Sequence, residues 1–419
     1  MAMSSFDLKA ALAAIRQSVD QLNSSDRCSE ALERMGEALA SRQDDILEAN
    51  TLDLELSRDM AVPEMVVDWL KLTPERVQTA ASILRRLAAV GTAFPGADVG
   101  DSDNDYYRTC PLGVVSFIYE AFPDLGAIAA GLCIRTGNAI VLKGGGEASH
   151  TNQIVADILR GSLEDVGLDP NFILSITSTA EISRVEIAQN PNIDLVIPHG
   201  RPSLVEQIAR KASGRVIPSR IGNCYLYWSG SGNIERVYQM IVESHTGTPD
   251  AVNRIEKVLI HESHTENTIA RLWSRLQEAG FAIRVTRTPA EAATGLESYG
   301  GGNTGVTVEA TEPSEWDEAY LKRTIAFRTV KDTAAAIAWV NEHSSGHADS
   351  IATADYAESR QFMLGCRSAS VYINASPQFI RNAKRTGEIA LGVSDYKGTT
   401  GGLISVAVLR ERQRIFHGS

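Results

Sequence analysis

The first ninety residues show the spacing of amphipathic helices. Apolar side chains recur every three or four positions and so fall on one face of a helix, beginning with Leu8, Leu12, Ile15 and Val19. The pattern predicts a succession of helices over residues 6–90. The polar face of the first helix lacks the basic residues of a membrane-surface helix, so we expect the apolar faces to pack against a core.

From about residue 111, short apolar runs alternate with helical stretches. The first block of predicted strands comprises 114–119, 139–142, 172–176, 195–198 and 215–218. A second block comprises 258–261, 282–286, 305–309, 324–330, 349–353 and 369–374. Such alternation is typical of parallel sheets covered by helices. We therefore predict an α/β fold with two lobes.

Charge and cysteine content exclude several classes of protein. With 40 basic and 52 acidic residues the formal net charge is -12, which gives no general attraction for nucleic acid. No stretch stays apolar over the roughly eighteen residues that span a bilayer, and the first residues do not form a signal peptide. The 5 cysteines form no CxxC pair and the histidines form no metal-binding motif. We predict a cytosolic protein with reduced thiols, no metal site and no membrane partner.

The segment 137–150 carries the strongest sign of chemistry. It reads as an apolar strand that ends in Lys143, followed by three glycines and the start of a helix. A lysine and flexible backbone at the carboxyl end of a parallel strand suit the ribose or phosphate of a nucleotide. A structural left-handed turn explains the same glycines equally well. The glycine-rich run 299–303 lacks the lysine and helix of a P-loop, and there we favour a plain turn.

The cysteines give a weaker signal. Cys133 lies on an apolar helical face and is interpreted as a core residue, while Cys224 begins a predicted strand with no histidine beside it in the sequence. For both thiols, a small apolar role is favoured over a nucleophilic one. The residues alone therefore indicate a nucleotide-binding α/β protein.

Several longer motifs resemble one known family. The segment 108–120, RTCPLGVVSFIYE, and the GNAIVLKGG run after it are similar to the gamma-glutamyl phosphate reductases, also called glutamate-5-semialdehyde dehydrogenases, of the aldehyde dehydrogenase superfamily. The likeness covers nearly the whole chain. It includes the motifs ILEAN with Asp53, DLVIP, GNC, SGHAD and YINAS.

The resemblance implies an aldehyde dehydrogenase-like α/β fold in three parts. These are a Rossmann-like cofactor domain at 1–100 and 111–244, a catalytic-type domain at 245–385, and a bridging element at 101–110 and 393–419 that makes homo-oligomers. It also implies NADPH as cofactor. The residues that match its cofactor positions are Asn138, Lys143, Glu147 and Glu388.

The family's reaction depends on a cysteine that this chain lacks. In that family a thiolate attacks the acyl phosphate of L-glutamyl 5-phosphate, and NADPH reduces the thioester to glutamate 5-semialdehyde for proline biosynthesis. When the nucleophile segment is aligned without gaps on 245–261, its cysteine falls on Val252, with Asn253 beside it. A valine cannot form a thioester. The hydroxyls of Ser244 and Thr246 lie nearby in sequence but would need a positioned base.

Other departures fall at the family's functional positions. Ala121 and Phe122 replace a segment that carries an arginine suited to an anionic substrate, and Gly146 replaces a cation. Pro202 enters a glycine loop and restricts its backbone. Gly146 and Pro202 weaken the expectation of NADPH binding.

Three hypotheses follow from these departures. The first is a pseudoenzyme that keeps the fold, binds a glutamate-type small molecule or a nucleotide, and serves as a regulator or partner. The second is an active NADPH-dependent reductase of L-glutamyl 5-phosphate in proline biosynthesis. The third is a repurposed enzyme of specialised amino-acid metabolism that acts on a glutamyl-type acyl group. The clustered losses favour the first.

Overall fold

The chain forms two compact units. The computed structural model describes residues 7–19, 25–91, 97–102, 105–247, 250–286, 307–383, 388–398 and 401–417. The first unit comprises Met1–Ser219, Arg381–Gly392 and Leu403–Ser419, and the second comprises Arg220–Ile380 and Val393–Gly402. The predicted run at 299–303 lies outside the described residues.

The first unit begins with a layer of helices, as the apolar spacing predicts. They are α1 (Leu8–Val19), α2 (Ser25–Ser41), α3 (Gln43–Asp59), α4 (Glu64–Leu70) and α5 (Pro74–Ala89). α5 shows how the pattern becomes structure. Thr73 caps its first turn by accepting a hydrogen bond from the Arg76 N–H, and its buried face includes Val77, Leu84 and Leu87. α2 and α5 pack against each other.

A five-stranded parallel sheet forms the core of the first unit. Its strands are β3 (Val114–Tyr119), β4 (Ala139–Lys143), β5 (Ile173–Ser175), β6 (Leu195–His199) and β7 (Arg215–Val216). Their order is β5-β4-β3-β6-β7, and each neighbouring pair is parallel. Every residue of β3, β4 and β6 is buried, which explains their continuous apolar runs. The covering helices are α6 (Pro123–Thr136), α7 (Ser149–Asp165), α8 (Arg184–Ala188) and α9 (Pro202–Lys211).

The strand order reverses beside β3. The chain moves from β3 outward to β4 and β5, then returns to the other side of β3 with β6. A crevice forms at the carboxyl ends of parallel strands where the order reverses in this way. In this unit that edge carries the residues just after β3, β4 and β6.

A seven-stranded parallel sheet forms the core of the second unit, with the order β11-β10-β12-β9-β8-β13-β14. Its strands are β8 (Cys224–Trp228), β9 (Ile255–His261), β10 (Ala282–Val285), β11 (Glu309–Ala310), β12 (Thr324–Val330), β13 (Ala348–Ala352) and β14 (Ser370–Ile373). Its helices are α10 (Ile234–Ser244), α11 (Glu266–Glu278), α12 (Thr333–His343) and α13 (Tyr356–Gly365). The prediction of an α/β fold with parallel sheets in two lobes is confirmed.

The two units meet in sequence at residues 219 and 220, whereas the sequence analysis puts the boundary after 244. β8 therefore belongs to the second sheet, where it pairs with β9 and β13. A buried parallel strand has the same apolar pattern in either sheet, so the pattern cannot assign it to one of them.

Smaller antiparallel sheets complete the first unit. β1 (Ala97–Ser102), β2 (Asp105–Pro111) and β17 (Arg410–Phe416) form one sheet, and β15 (Ala390–Val393) pairs with β16 (Leu403–Ser405). β17 pairs with β2 along its whole length. The final strand therefore lies within the predicted bridging element, and it pairs there with the other predicted part of that element, 101–110.

Two residues of the family-like ILEAN–Asp53 motif join α3 to the end of α4 and to the start of α7. Asn50 donates to the Leu70 carbonyl at 3.0 Å and accepts from the Leu72 N–H at 2.9 Å. The buried Asp53 accepts from the backbone N–H groups of His150 and Thr151, at 3.0 and 2.8 Å, at the start of α7. This motif therefore has a structural role, because its polar groups satisfy buried backbone and helix-terminal donors.

Candidate functional site

A polar cleft lies at the carboxyl end of β4 in the first unit. Its lining includes Ser149, Gln153, Thr177 and Ser178. Lys143 ends the strand, is 7% exposed, and donates from Nζ to the Thr177 carbonyl at 3.0 Å. Burial, with repulsion from Arg184, lowers the pKa of Lys143. A lysine has three donors, so this contact leaves two for a ligand.

The three glycines after Lys143 have different roles. A Cβ at Gly144 would lie 2.1 Å from Asn152 Nδ2, and one at Gly145 would lie 1.9 Å from Glu147 Oε1. A side chain at either position would therefore displace Asn152 or Glu147, which favours the structural interpretation of these two glycines. At Gly146 the nearest atom would be Ser178 Cβ at 3.8 Å, so a larger side chain fits.

The segment after β3 is packed into the protein. Glu147 accepts a hydrogen bond from the Ala121 N–H at 2.9 Å through Oε1. The Phe122 ring is 1% exposed and stacks on Trp69, with ring centroids 4.9 Å apart. Phe122, at a position where the sequence predicts a departure from the family, therefore contributes core packing.

An ion pair between the buried Glu120 and the partly exposed Arg201 joins the ends of β3 and β6. Glu120 is 3% exposed, and its carboxylate accepts from Arg201 Nη2 at 2.7 Å and from the Arg201 backbone N–H at 2.9 Å. These contacts raise the pKa of Arg201. The sequence alone does not predict this pair. Its one signal in the sequence is Arg201, which precedes Pro202 in the segment that resembles the family's glycine loop.

The predicted cofactor residues do not all meet at this edge. Lys143 and Glu147 follow β4, whereas Asn138 precedes it and is 0% exposed. The Asn138 amide accepts from the Gly113 N–H at 2.9 Å and donates to the Leu409 carbonyl at 2.8 Å. Asn138 therefore has a structural position at the opposite end of the strand. Glu388 is partly buried and precedes β15 in the same unit.

In the second unit, Val252 lies in a tightly held loop before β9 and is 0% exposed. Its carbonyl accepts hydrogen bonds from the Gly222 N–H at 2.9 Å and from His347 Nε2 at 3.0 Å. The adjacent Asn253 donates to the Pro377 carbonyl at 2.8 Å. The loop therefore fixes a branched hydrocarbon at the position where the sequence predicts the family's nucleophile.

Cys224 and His347 lie together beside this loop but do not form a catalytic dyad. The distance from Cys224 Sγ to His347 Nε2 is 3.2 Å, and both residues are 0% exposed. Because the Val252 carbonyl can only accept, Nε2 must carry the proton and has no lone pair for the thiol. Burial lowers the pKa of His347 to about 4 and raises that of Cys224 well above its usual value. The thiol therefore stays protonated.

The loop also brings opposite charges together. Asp250 is 0% exposed and Arg254 is partly buried. Burial lowers the pKa of the Arg254 guanidinium, whereas the charges of Glu256 and Asp250 oppose this shift. Opposite charges four residues apart were the sequence signal that could have identified this pair.

The nearby hydroxyl groups are held by the chain itself. Ser244 Oγ donates to the Ile241 carbonyl at 2.7 Å, and Thr246 Oγ1 donates to the Glu243 carbonyl at 2.8 Å. Neither contact provides a base. Among the described residues no cluster of His, Cys, Asp and Glu could hold a metal ion. None of the described helices is both long and apolar enough to cross a membrane.

Comparisons with known proteins agree on one family. The profile of the aldehyde dehydrogenase family matches residues 4–286. The chain is 42% identical to gamma-glutamyl phosphate reductase 2 of Synechocystis sp., over 96% of this chain and 94% of that protein. It is 31% identical to gamma-glutamyl phosphate reductase of Gloeobacter violaceus, over 93% and 91% of the two chains.

Solved structures show the same fold. The crystal structure of gamma-glutamyl phosphate reductase from Thermotoga maritima superposes with a TM-score of 0.83 at 24% identity, covering 99% of both chains. An acetylating aldehyde dehydrogenase from Geobacillus thermoglucosidasius gives a TM-score of 0.68 at 16% identity, covering 98% of this chain and 96% of that one. The predicted aldehyde dehydrogenase-like fold is confirmed.

The environments of the thiols predict their reactivity. Cys28, Cys133, Cys224 and Cys366 are buried and their pKa values are raised by burial, whereas Cys110 is partly exposed. We expect iodoacetamide to label Cys110 in the folded protein and to label all five thiols in denaturant, as measured by peptide mass spectrometry. Rapid labelling of Cys224 in the folded protein would show that it is an accessible nucleophile and would contradict this description.

The buried His347 predicts a loss of stability in acid. Its folded pKa of about 4 lies below the ordinary histidine value of 6.5, so between these pH values the unfolded chain takes up a proton that the folded protein does not. The free energy of unfolding, measured with urea, should fall between pH 6.5 and pH 4. In His347→Gln this fall should be smaller by on the order of 2–3 kcal/mol.

Asp349 provides a comparison of opposite sign. Burial raises its folded pKa to about 6 from 3.8, so its protonation favours the folded state as the pH falls. In Asp349→Asn, the free energy of unfolding should therefore fall more steeply as the pH is lowered. If the free energy of unfolding changed equally with pH in the wild type and in both variants, the shifted pKa values described for His347 and Asp349 would be contradicted.

Proposed function

The chain belongs to the gamma-glutamyl phosphate reductase family of aldehyde dehydrogenases, and from that membership we propose that it binds ligands of this family without forming the family's thioester. Val252 is the observation that carries the proposal, because it is fully buried where the family's nucleophile is expected. The resulting role is that of a ligand-binding regulator or partner.

The thioester route has two chemical requirements. A thiolate must attack the acyl carbon of glutamyl 5-phosphate and expel phosphate, and NADPH, when bound, supplies the hydride that releases the aldehyde. The Val252 side chain has no lone pair for the first step. The nearby Cys224 is fully buried, and the raised pKa of its thiol keeps it protonated.

The residues present fit only part of the family's dinucleotide. Lys143 and Glu147 lie near one cleft at the strand edge and suit the ribose and phosphate of a nucleotide. The ion pair of Glu120 and Arg201 at the start of α9 does not suit a second phosphate. We therefore assign no reaction step to a bound dinucleotide.

The comparisons favour a second candidate, an active reductase of L-glutamyl 5-phosphate. The supporting observation is the 42% identity, over 96% of this chain, to a protein named gamma-glutamyl phosphate reductase 2. A role in proline biosynthesis would follow from this candidate. It requires that a residue other than Val252 accept the acyl group, or that hydride reach the acyl phosphate directly.

We also propose that the chain forms a homo-oligomer. β14 is one edge of the seven-stranded sheet, and β17 is one edge of the three-stranded sheet. Apolar side chains are exposed on both, including Ile373 at 38% and Phe416 at 65%. Unpaired strand edges are templates for association. We expect sedimentation at micromolar concentration to give a dimer or larger assembly, and a monomer would contradict the proposal.

One assay separates the two candidate functions. Purified wild-type protein is tested for phosphate-dependent oxidation of glutamate 5-semialdehyde with NADP+, beside the Gloeobacter violaceus relative as positive control. We expect no turnover, because residue 252 provides no thiol. Turnover comparable with that of the control would establish the reductase and remove the first proposal.

Substitution at Val252 provides the matched comparison. Val252→Cys should raise turnover above that of Val252→Ser, because only the sulfur is a competent thioester former at nearly the same size. Equal rates for the two variants would show that departures elsewhere also prevent the reaction.

A further inference from the structure

The outer face of α3 carries an exposed apolar stripe. Its residues are Leu52, Leu56 and Met60, which are 46%, 45% and 56% exposed. Met60 caps the helix in a helical conformation, so the spacing of four residues places the three side chains in one row. A different face of α3, which includes Ile46 and Asp53, is buried. The stripe is therefore separate from the face that packs within the first unit.

Carboxylates border this apolar stripe. Glu48 lies one turn before Leu52, and Glu55 lies three residues after it. Asp59 has the same position relative to Leu56, so all three carboxylates are neighbours of the stripe on the helix surface. They are exposed, and within the described residues none of them has an ion-pair partner. The sequence of α3 contains six acidic residues and one basic residue, which gives the helix a formal charge of -5.

We propose that the stripe of Leu52, Leu56 and Met60 docks an amphipathic helix of a partner protein, and that this helix carries lysine or arginine beside its apolar face. The row of the stripe matches the spacing of apolar residues on one face of such a helix. The carboxylates beside the row pair with its cations. The inference goes beyond the proposed function, because this surface does not depend on the chemistry at residue 252.

The charge of α3 favours this partner over two other occupants. In a symmetric contact between two copies of the chain, one α3 would face another and like charges would meet. Anionic lipid headgroups would be repelled by the same carboxylates. The cationic helix is the occupant whose charge complements that of α3.

The length of the stripe indicates a weak and reversible contact. From Leu52 to Met60 the helix rises by about 12 Å, which is short for the interface of a stable complex. We therefore expect a dissociation constant on the order of 10–100 µM.

Fluorescence anisotropy with the full chain tests the proposal. The probe is a labelled synthetic helix, LKKLLKLLKKLLKL, and its comparison is the glutamate counterpart LEELLELLEELLEL. We expect the lysine helix to bind at least about tenfold more tightly than the glutamate helix. Equal affinities for the two peptides, or no binding of the lysine helix at about millimolar concentration, would overturn the proposal.

Leu56→Gln tests the apolar part of the contact. The side chain is exposed, so the variant should keep the stability of the wild type, while the lysine helix should bind it about fivefold to tenfold more weakly. Leu364→Gln is the matched control, because Leu364 is 69% exposed on α13 in the second unit. Equal affinities in the two variants would place the peptide away from the stripe and would contradict the proposal.

Glu55→Gln tests the charged part of the contact. The lysine helix should bind this variant about threefold more weakly at low salt, and the difference should shrink as the ionic strength rises. Glu278→Gln is the matched control, because Glu278 is exposed at the end of α11 in the second unit. An equal loss of affinity in both variants would show that the peptide responds only to the overall charge of the protein, against the proposal.

Two further measurements test the other occupants of the stripe. We expect Leu56→Gln to sediment like the wild type, and the wild type not to bind phosphatidylglycerol vesicles. A smaller assembly in Leu56→Gln would assign the stripe to a second copy of the chain, and vesicle binding that this variant abolishes would assign it to lipid. Either result would overturn the proposal. These readouts are independent of turnover, which tests the proposed function separately.

Discussion

The candidate nucleotide site depends on the parallel pairing of β3 with β4 and β6. Because the three strands run in one direction, their carboxyl ends bring Glu120, Lys143 and Arg201 to one edge of the sheet. These residues are therefore close in space although they lie far apart in the sequence. The same constraint puts Asn138 at the opposite end of β4, where its amide satisfies backbone groups of neighbouring segments.

The positions where the sequence predicts departures from the family take part in internal packing. Phe122 stacks on Trp69, Arg201 pairs with Glu120, and Asp250 lies buried near Arg254. Each of these side chains therefore has a partner within the chain.

The sequence predicts the strands better than it predicts their grouping. Buried parallel strands such as 114–119 appear as unbroken apolar runs, and the structure has β3 over that range. Which sheet a strand joins depends on contacts far along the chain, so β8 could not be assigned. The same limit applies to Glu120 and Arg201, which are 81 residues apart. Their pairing appears only once β3 and β6 are neighbours.

The environments of Gly146 and Phe122 give these two positions unequal tolerance of a positive charge. Space around Gly146 would admit a lysine through one local change. An arginine at position 122 would instead enter an aromatic core beside Trp69, where desolvation of its charge is costly. A cation could thus be introduced at position 146 by a single substitution, whereas at position 122 its neighbours would first have to be remodelled.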